Sequence, residues 1–218
     1  MNAVVFDLDG LLVDSEQVWD AAKRDLAAAH GVAWPPEATR AMMGMSSPEW
    51  SRYLAGRVGV PLAAERVNEE VLAGVLARYD RELPALPGAR EAVERLAAAW
   101  PLGLASSSNR EVIDVVLDRL GVTGLFAVTV SSEEVDRGKP APDVYLEAVR
   151  RLGAEPAHAV AIEDSDSGIR SAAAAGLAVV AIPNPHFPPG DEALALAAVR
   201  LPDLRALTVE AVRATIHP

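Results

Sequence analysis

The chain has no cysteine among its 218 residues, which excludes disulfides, thiolate metal sites and thiol catalysis. Positive charge is scarce: 20 Lys plus Arg face 31 Asp plus Glu, a formal net charge of −11. Such a chain offers no broad basic face to a phosphate backbone, so nucleic acid is not an expected partner. An anionic ligand would need a local cation, supplied by a metal or by a placed Lys or Arg. Long apolar runs are also missing. None reaches the roughly 18 residues of a membrane span, and the nearest, residues 172–183, is broken by Gly176. Asp7 and Asp9 fall where a secretory signal would need its apolar stretch, so a cytoplasmic protein without membrane association is expected. There are no internal repeats, and nothing in the composition compels more than a monomer.

What remains is the composition of a folded chain, half hydrophobic and 23% charged, with a length suited to one or two domains. Five short apolar runs read as buried strands: 3–6, 102–105, 127–130, 159–162 and 178–182. Helical spacing lies between them, as in Val112, Val115, Val116 and Leu120, in Tyr145, Ala148, Val149 and Leu152, and over residues 167–175 before Gly176. Strand and helix alternating in this rhythm imply right-handed βαβ units, hence an α/β fold with a doubly wound parallel sheet. Residues 14–85 break the rhythm. They carry only helical periodicity (Val18, Ala22, Leu26, Ala29; Val67, Val71, Val75, Tyr79), cut by Gly31, Pro35-Pro36, Gly44, Pro48, Gly59 and Pro61. The expected organisation is a core of residues 1–13 and 86–218 and an inserted helical domain of residues 14–85.

Ligands of open parallel sheets bind at the carboxyl ends of the strands, and three of these ends are dense in polar groups. Asp7 and Asp9 follow the first strand, Ser106 to Asn109 the second, and Glu163-Asp164 the fourth; Lys139 lies in the loop after the third. Taken singly, each has a plain explanation as a turn former, a helix cap or a solvated lysine. Together they call for a cation, because two carboxylates 4 Å apart repel by ~4 kcal/mol at an effective dielectric of 20. All-oxygen ligands without His or Cys select a hard ion, most simply Mg²⁺, with a calcium-type stabilising site as the alternative. Ser106 offers a hydroxyl, and the N–H groups of Ser107 to Asn109 at a helix start form a phosphate cradle. Lys139 is one of two lysines, with Lys23, in a chain that otherwise uses arginine. A hard cation, a hydroxyl, N–H donors and a lysine suit a phosphoryl group.

Four segments carry a family likeness: Asp7-Leu8-Asp9-Gly10-Leu11-Leu12-Val13-Asp14-Ser15-Glu16, Leu104-Ala105-Ser106-Ser107-Ser108-Asn109, Gly138-Lys139-Pro140-Ala141-Pro142-Asp143 and Ile162-Glu163-Asp164-Ser165-Asp166-Ser167-Gly168. In order, they resemble the four motifs of the haloacid dehalogenase superfamily, and more closely its branch of β-phosphoglucomutase-like and sugar-phosphate phosphatases. The resemblance implies a Rossmann-like core with a helical cap, hinged near residues 13–15 and 83–87. It implies Asp7 as nucleophile, Asp9 as general acid and base, and Lys139 as the charge partner of Asp7. Ser106, Ser107, Asn109 and Lys139 would hold the phosphoryl group. Mg²⁺ would be held by Asp7, Asp9 (through its carbonyl) and Asp164, with Glu163 a direct or water-mediated ligand. The expected activity is hydrolysis of a small phosphorylated metabolite, probed against phosphomutase and receiver-type phosphoacceptor alternatives.

The chain also departs from the mutase pattern. Trp19 stands where mutases of the branch carry a cap histidine, and Ser47 follows Gly44-Met45-Ser46 where they carry an arginine. Both departures favour plain hydrolysis. Trp19, Met42, Met43, Met45 and Trp50 are read either as an apolar substrate wall or as packing between cap helices. Arg78 is read either as reaching a substrate or, preferably, as a solvated helix residue, and none of His30, His158, His186 and His217 is assigned a role, although His186 follows a strand end and could border the site.

Overall fold

The computed structural model describes residues 2–42, 45–185 and 187–215. Six strands form one wholly parallel sheet: β1 (Ala3–Phe6), β2 (Leu102–Ser106), β3 (Phe126–Ser131), β4 (Ala159–Glu163), β5 (Ala178–Ala181) and β6 (Val199–Arg200). Their order is β3-β2-β1-β4-β5-β6. Five strands lie where the apolar runs predict them. The sixth is a two-residue edge strand, too short to leave a periodic signal.

Alternate residues of each strand face opposite sides of a sheet, and both sides are covered here. Val4 and Phe6 pack with α5 (Ala89–Ala97) and α6 (Arg110–Leu120). Ala3 and Val5 pack with α7 (Asp143–Arg151), α8 (Asp166–Ala174) and α9 (Asp191–Leu194). A sheet buried on two faces explains why its strands read as continuous apolar runs. A short terminal helix, α10 (Val209–Arg213), adds Val212 to the first face. Among the described residues, no helix is long and apolar enough to cross a membrane.

The described residues of 14–85 add no strand to the sheet. They form α1 (Glu16–Ala29), α2 (Ala38–Ala41), α3 (Ser47–Tyr53) with a π-helical continuation over Leu54–Val58, and α4 (Ala64–Arg81). Val67, Val71, Val75 and Tyr79 make a fully buried stripe on α4. A capping box starts α3, where the Glu49 carboxylate accepts from the Ser46 N–H at 2.8 Å. The chain enters and leaves this segment side by side. Val13 bridges Ala85 antiparallel, Asp14 N–H donates to the Pro84 carbonyl at 2.8 Å, and Leu86 N–H to the Leu12 carbonyl at 3.0 Å.

Gly10 makes the turn out of β1 possible. Its φ is +77°, and a Cβ there would overlap the Asp164 carboxylate. Gly31 has a similar φ of +68° but open space around it, so the pair separates backbone strain from overlap. Gly31→Ala is expected to cost about 1 kcal/mol, a fall of about 2–4 °C in Tm. Gly10→Ala should cost about three times as much, because overpacking adds to strain. Thermal melts of the two variants check this; equal losses would mean that the Asp164 carboxylate moves freely aside.

Candidate active site

Adjacent strand ends bring the acidic turns together. Phe6 lies in register with Leu104 of β2 on one side and Ile162 of β4 on the other. Asp7 and Glu163, which follow at once, and Ser106, two positions past Leu104, therefore emerge along one edge. In a sheet of this strand order, the connections diverge to opposite faces beside β1 and open a crevice there.

At its floor lies a buried charge cluster. Lys139 Nζ donates to Asp7 Oδ1 and to Glu163 Oε1, both at 2.7 Å, and the three side chains are at most 7% exposed. Glu163 is held from all sides. Tyr145 Oη on α7 also donates to Oε1 at 2.7 Å, while Oε2 accepts from Asp164 N (3.1 Å), Ser165 N (3.3 Å) and Ser165 Oγ (3.1 Å). Gly168 leaves the room this carboxylate occupies, since a Cβ there would overlap it. The cluster counts three buried carboxylates, with Asp164, against one ammonium. Burial pushes the Asp7 carboxyl up to about 7, with Glu163 and Asp9 adding to the rise and Lys139 opposing it. Burial first, then Asp7 and Glu163, raise Asp164 well above the usual carboxylate range. Burial works against the charge on Lys139, but Asp7 and Glu163 outweigh it and raise its pKa.

A cation fits this set. Asp7, Glu163 and Asp164 each present an oxygen within 4.8 Å of the others, and Asp164 Oδ1 is buried without a hydrogen-bond partner among the described residues. The donors are all hard oxygens, which suits a hard divalent ion. Because five donors already occupy Glu163, the coordinating capacity sits on Asp7 and Asp164.

The end of β2 organises Asp9. Ser106 Oγ and Ser108 Oγ donate to Asp9 Oδ2 at 3.1 and 2.7 Å, and Ser108 N–H donates to Ser106 Oγ at 3.0 Å. Among the described residues, Asp9 Oδ1 is left buried and unpaired. A cavity of about 810 Å³ opens above these groups, lined on the sheet side by Asp7, Asp9, Ser107, Ser108, Lys139 and Asp164. Asn109 does not line it. Its Oδ1 accepts from Ser47 Oγ of α3 at 2.8 Å and its Nδ2 donates to Glu133 at 2.7 Å, so it joins the helical insertion to the sheet edge. Ser106 is fully buried behind Ser107 and Ser108.

The opposite wall comes from the insertion. Trp19, Met42, Met45 and Trp50 line the cavity and also pack together, with the two indole centroids 5.8 Å apart; the two readings of these residues are compatible. Arg78 is bonded to Asp25 and to the Gly74 carbonyl, away from the cavity. His30 lies beside Glu70 and His158 beside Glu155. Met43, Gly44, His186 and His217 lie outside the described residues. Sequence reasoning missed Tyr145, whose helical spacing marks it only as core. It gave Ser108 only a backbone N–H and not the hydroxyl that holds Asp9, and it passed over Lys23, the second lysine, which lines the cavity.

Residues 1–176 match the model of the haloacid dehalogenase-like hydrolases. The chain belongs to that family. It is 34% identical over 214 residues to hexitol phosphatase B of Escherichia coli K12, covering 95% of both chains. The structure superposes on CbbY from Rhodobacter sphaeroides in complex with phosphate with a TM-score of 0.88 and 26% identity, covering 98% of this chain and 99% of that one. It also superposes on β-phosphoglucomutase from Clostridium difficile with a TM-score of 0.83, at 22% identity and 99% and 97% coverage, a likeness of fold alone. The family and branch expected from the four motifs are thus found, and the chain is an enzyme of hydrolase type.

The raised carboxyls of this hydrolase carry a pH signature. A folded-state pKa near 7 for Asp7 means its contribution to stability is fully present below about pH 4 and lost as pH rises through 7. A divalent cation competes with those protons. The Tm gain on adding Mg²⁺ should therefore be small at pH 5 and grow by several degrees toward pH 8. A gain independent of pH in differential scanning fluorimetry would place the ion elsewhere.

Proposed function

We propose that this hydrolase is a Mg²⁺-dependent phosphatase that cleaves a small phosphate monoester, most simply a sugar or sugar-alcohol phosphate, through an aspartyl-phosphate on Asp7. The observation that carries the reading is the buried Asp7–Lys139–Glu163 cluster beneath the cavity, with Asp9 beside it keeping one unpaired oxygen. The names of the relatives, a hexitol phosphatase and a protein crystallised with phosphate, agree with it.

In this mechanism the Asp7 carboxylate attacks phosphorus, and the bond to the alcohol oxygen breaks. Asp9 gives that oxygen a proton from Oδ1, the atom left free by Ser106 and Ser108. A water then attacks the same phosphorus while Asp9 takes its proton, so inorganic phosphate leaves and the Asp7 carboxylate returns. Lys139 offsets the charge on Asp7, and Glu163, fixed by five donors, holds Lys139 in place. Ser107 and Ser108, with the Ser106 hydroxyl turned from Asp9, hold the phosphoryl oxygens, and Asn109 couples that cradle to the insertion through Ser47. Asp7, Asp164 and the Asp9 carbonyl would hold Mg²⁺, with Glu163 a direct or water-mediated partner, and the bound ion would supply charge neutralisation to the phosphoryl oxygens. Residues 14–85 act as the cap that excludes bulk water. With Trp19 and Ser47 in place of the mutase histidine and arginine, nothing built for a second phosphate stands at those two positions.

A generic aryl phosphate should be hydrolysed with Mg²⁺, and excess chelator should abolish turnover. Asp7→Asn should lose on the order of 10³-fold or more in kcat/KM. Asp9→Asn should lose on the order of 10²–10⁴-fold on an alkyl phosphate and distinctly less on the aryl ester, whose leaving group departs without a proton. Steady-state assays check all three, and an active Asp7→Asn enzyme would remove Asp7 from the chemistry.

A further inference from the structure

Lys23 is the cation that the chemistry above leaves unused. It lies on α1, nine-tenths buried, and lines the cavity wall opposite Asp7. Its ammonium sits 5.1 Å from the Trp50 ring and 5.7 Å from the Trp19 ring. Among the described residues it makes no hydrogen bond, and no carboxylate comes within 4 Å of it. Glu16, about two helical turns before it on α1, is also without a hydrogen bond or ion pair among the described residues and lines the same cavity. An ammonium with three donors and a half-buried carboxylate thus face the cavity with their hydrogen-bonding capacity open to a ligand.

A second observation says what would satisfy both. Glu16, Lys23, Asp20, Thr39 and Met42 line a small recess of about 10 Å³, about the room of one water molecule. Asp20 is already committed, accepting from Arg24 at 2.6 Å and from Thr39 Oγ1 at 2.6 Å. Arg24 is in turn bonded to Asp20 and Thr39, and Arg40 is exposed at the mouth. The recess thus offers one free donor and one free acceptor. A hydroxyl group fills both roles, accepting from Lys23 and donating to Glu16. A carboxylate or phosphate has no proton for Glu16, is repelled by it, and exceeds the volume. The indole faces beside Lys23 suit the C–H face of a polyhydroxylated chain.

We propose that Lys23 and Glu16 form the specificity-determining end of the site, a receptor for one hydroxyl of a sugar or sugar-alcohol phosphate that rejects monoesters bearing a second anionic group there. This rests on the phosphatase reading above and names its substrate class. Glucitol 6-phosphate and 6-phosphogluconate test it, since they differ only in a terminal alcohol against a carboxylate, with an aryl phosphate as reference. The wild-type enzyme should prefer the alcohol by about 30-fold or more in kcat/KM. Lys23→Met should lower the glucitol-to-aryl ratio by about 10- to 100-fold, chiefly through KM. Glu16→Gln should raise the acid relative to the alcohol by about 10-fold. Equal use of acid and alcohol by the wild type, or a ratio unchanged in Lys23→Met, overturns the inference. A merely structural lysine would lower both substrates alike. Should Lys23→Met fail to fold by circular dichroism, the wild-type comparison and Glu16→Gln decide the matter. Absence of aryl phosphate turnover would instead overturn the phosphatase reading, and this inference with it.

Discussion

One ammonium among three buried carboxylates governs the arrangement of this molecule. Lys139 can sit between Asp7 and Glu163 only because β1 and β4 are neighbours in register, so their last residues end level with each other. Burying a charge is expensive unless it is paired and hydrogen-bonded. Glu163 meets that condition with five donors, drawn from α7, the loop before it and its own turn. With its three carboxylates ionised, the cluster is nonetheless two positive charges short, and among the described residues Asp164 keeps an unpaired oxygen. The sheet thus presents a deficit that a divalent ion and a phosphoryl group resolve together, the ion adding charge and the ligand adding oxygens.

Much of this was legible in the order of residues, for a definite reason. A strand buried on both faces has to be apolar throughout, so a strand end is visible as the point where polarity begins. In this chain the polarity begins with chemistry: Asp7, Ser106 and Glu163 are each the first or last polar residue of such a run. Lys139 stood out because it is one of two lysines, and the structure brings it to the acidic turns across more than a hundred residues of chain.

What stayed hidden depends on contacts that no local pattern encodes. Tyr145 occupies a core position of an amphipathic helix, and only the packing of α7 shows that its hydroxyl reaches Glu163. Asn109 reads as a cradle residue, but the docking of α3 turns its amide toward Ser47 instead. β6 is two residues long and pairs only because β5 offers it an edge. Lys23 reads as an ordinary helix lysine until Trp19 and Trp50 enclose it.

That enclosure has an optical consequence. Two of the chain's four tryptophans form one tilted indole pair, 57° between planes, at the wall of the cavity, with an ammonium over both faces. Coupled chromophores of this kind respond to small changes in their mutual angle and in the charge beside them. Occupancy of the cavity is thereby written into the near-ultraviolet dichroism and emission of the protein itself, with no label attached.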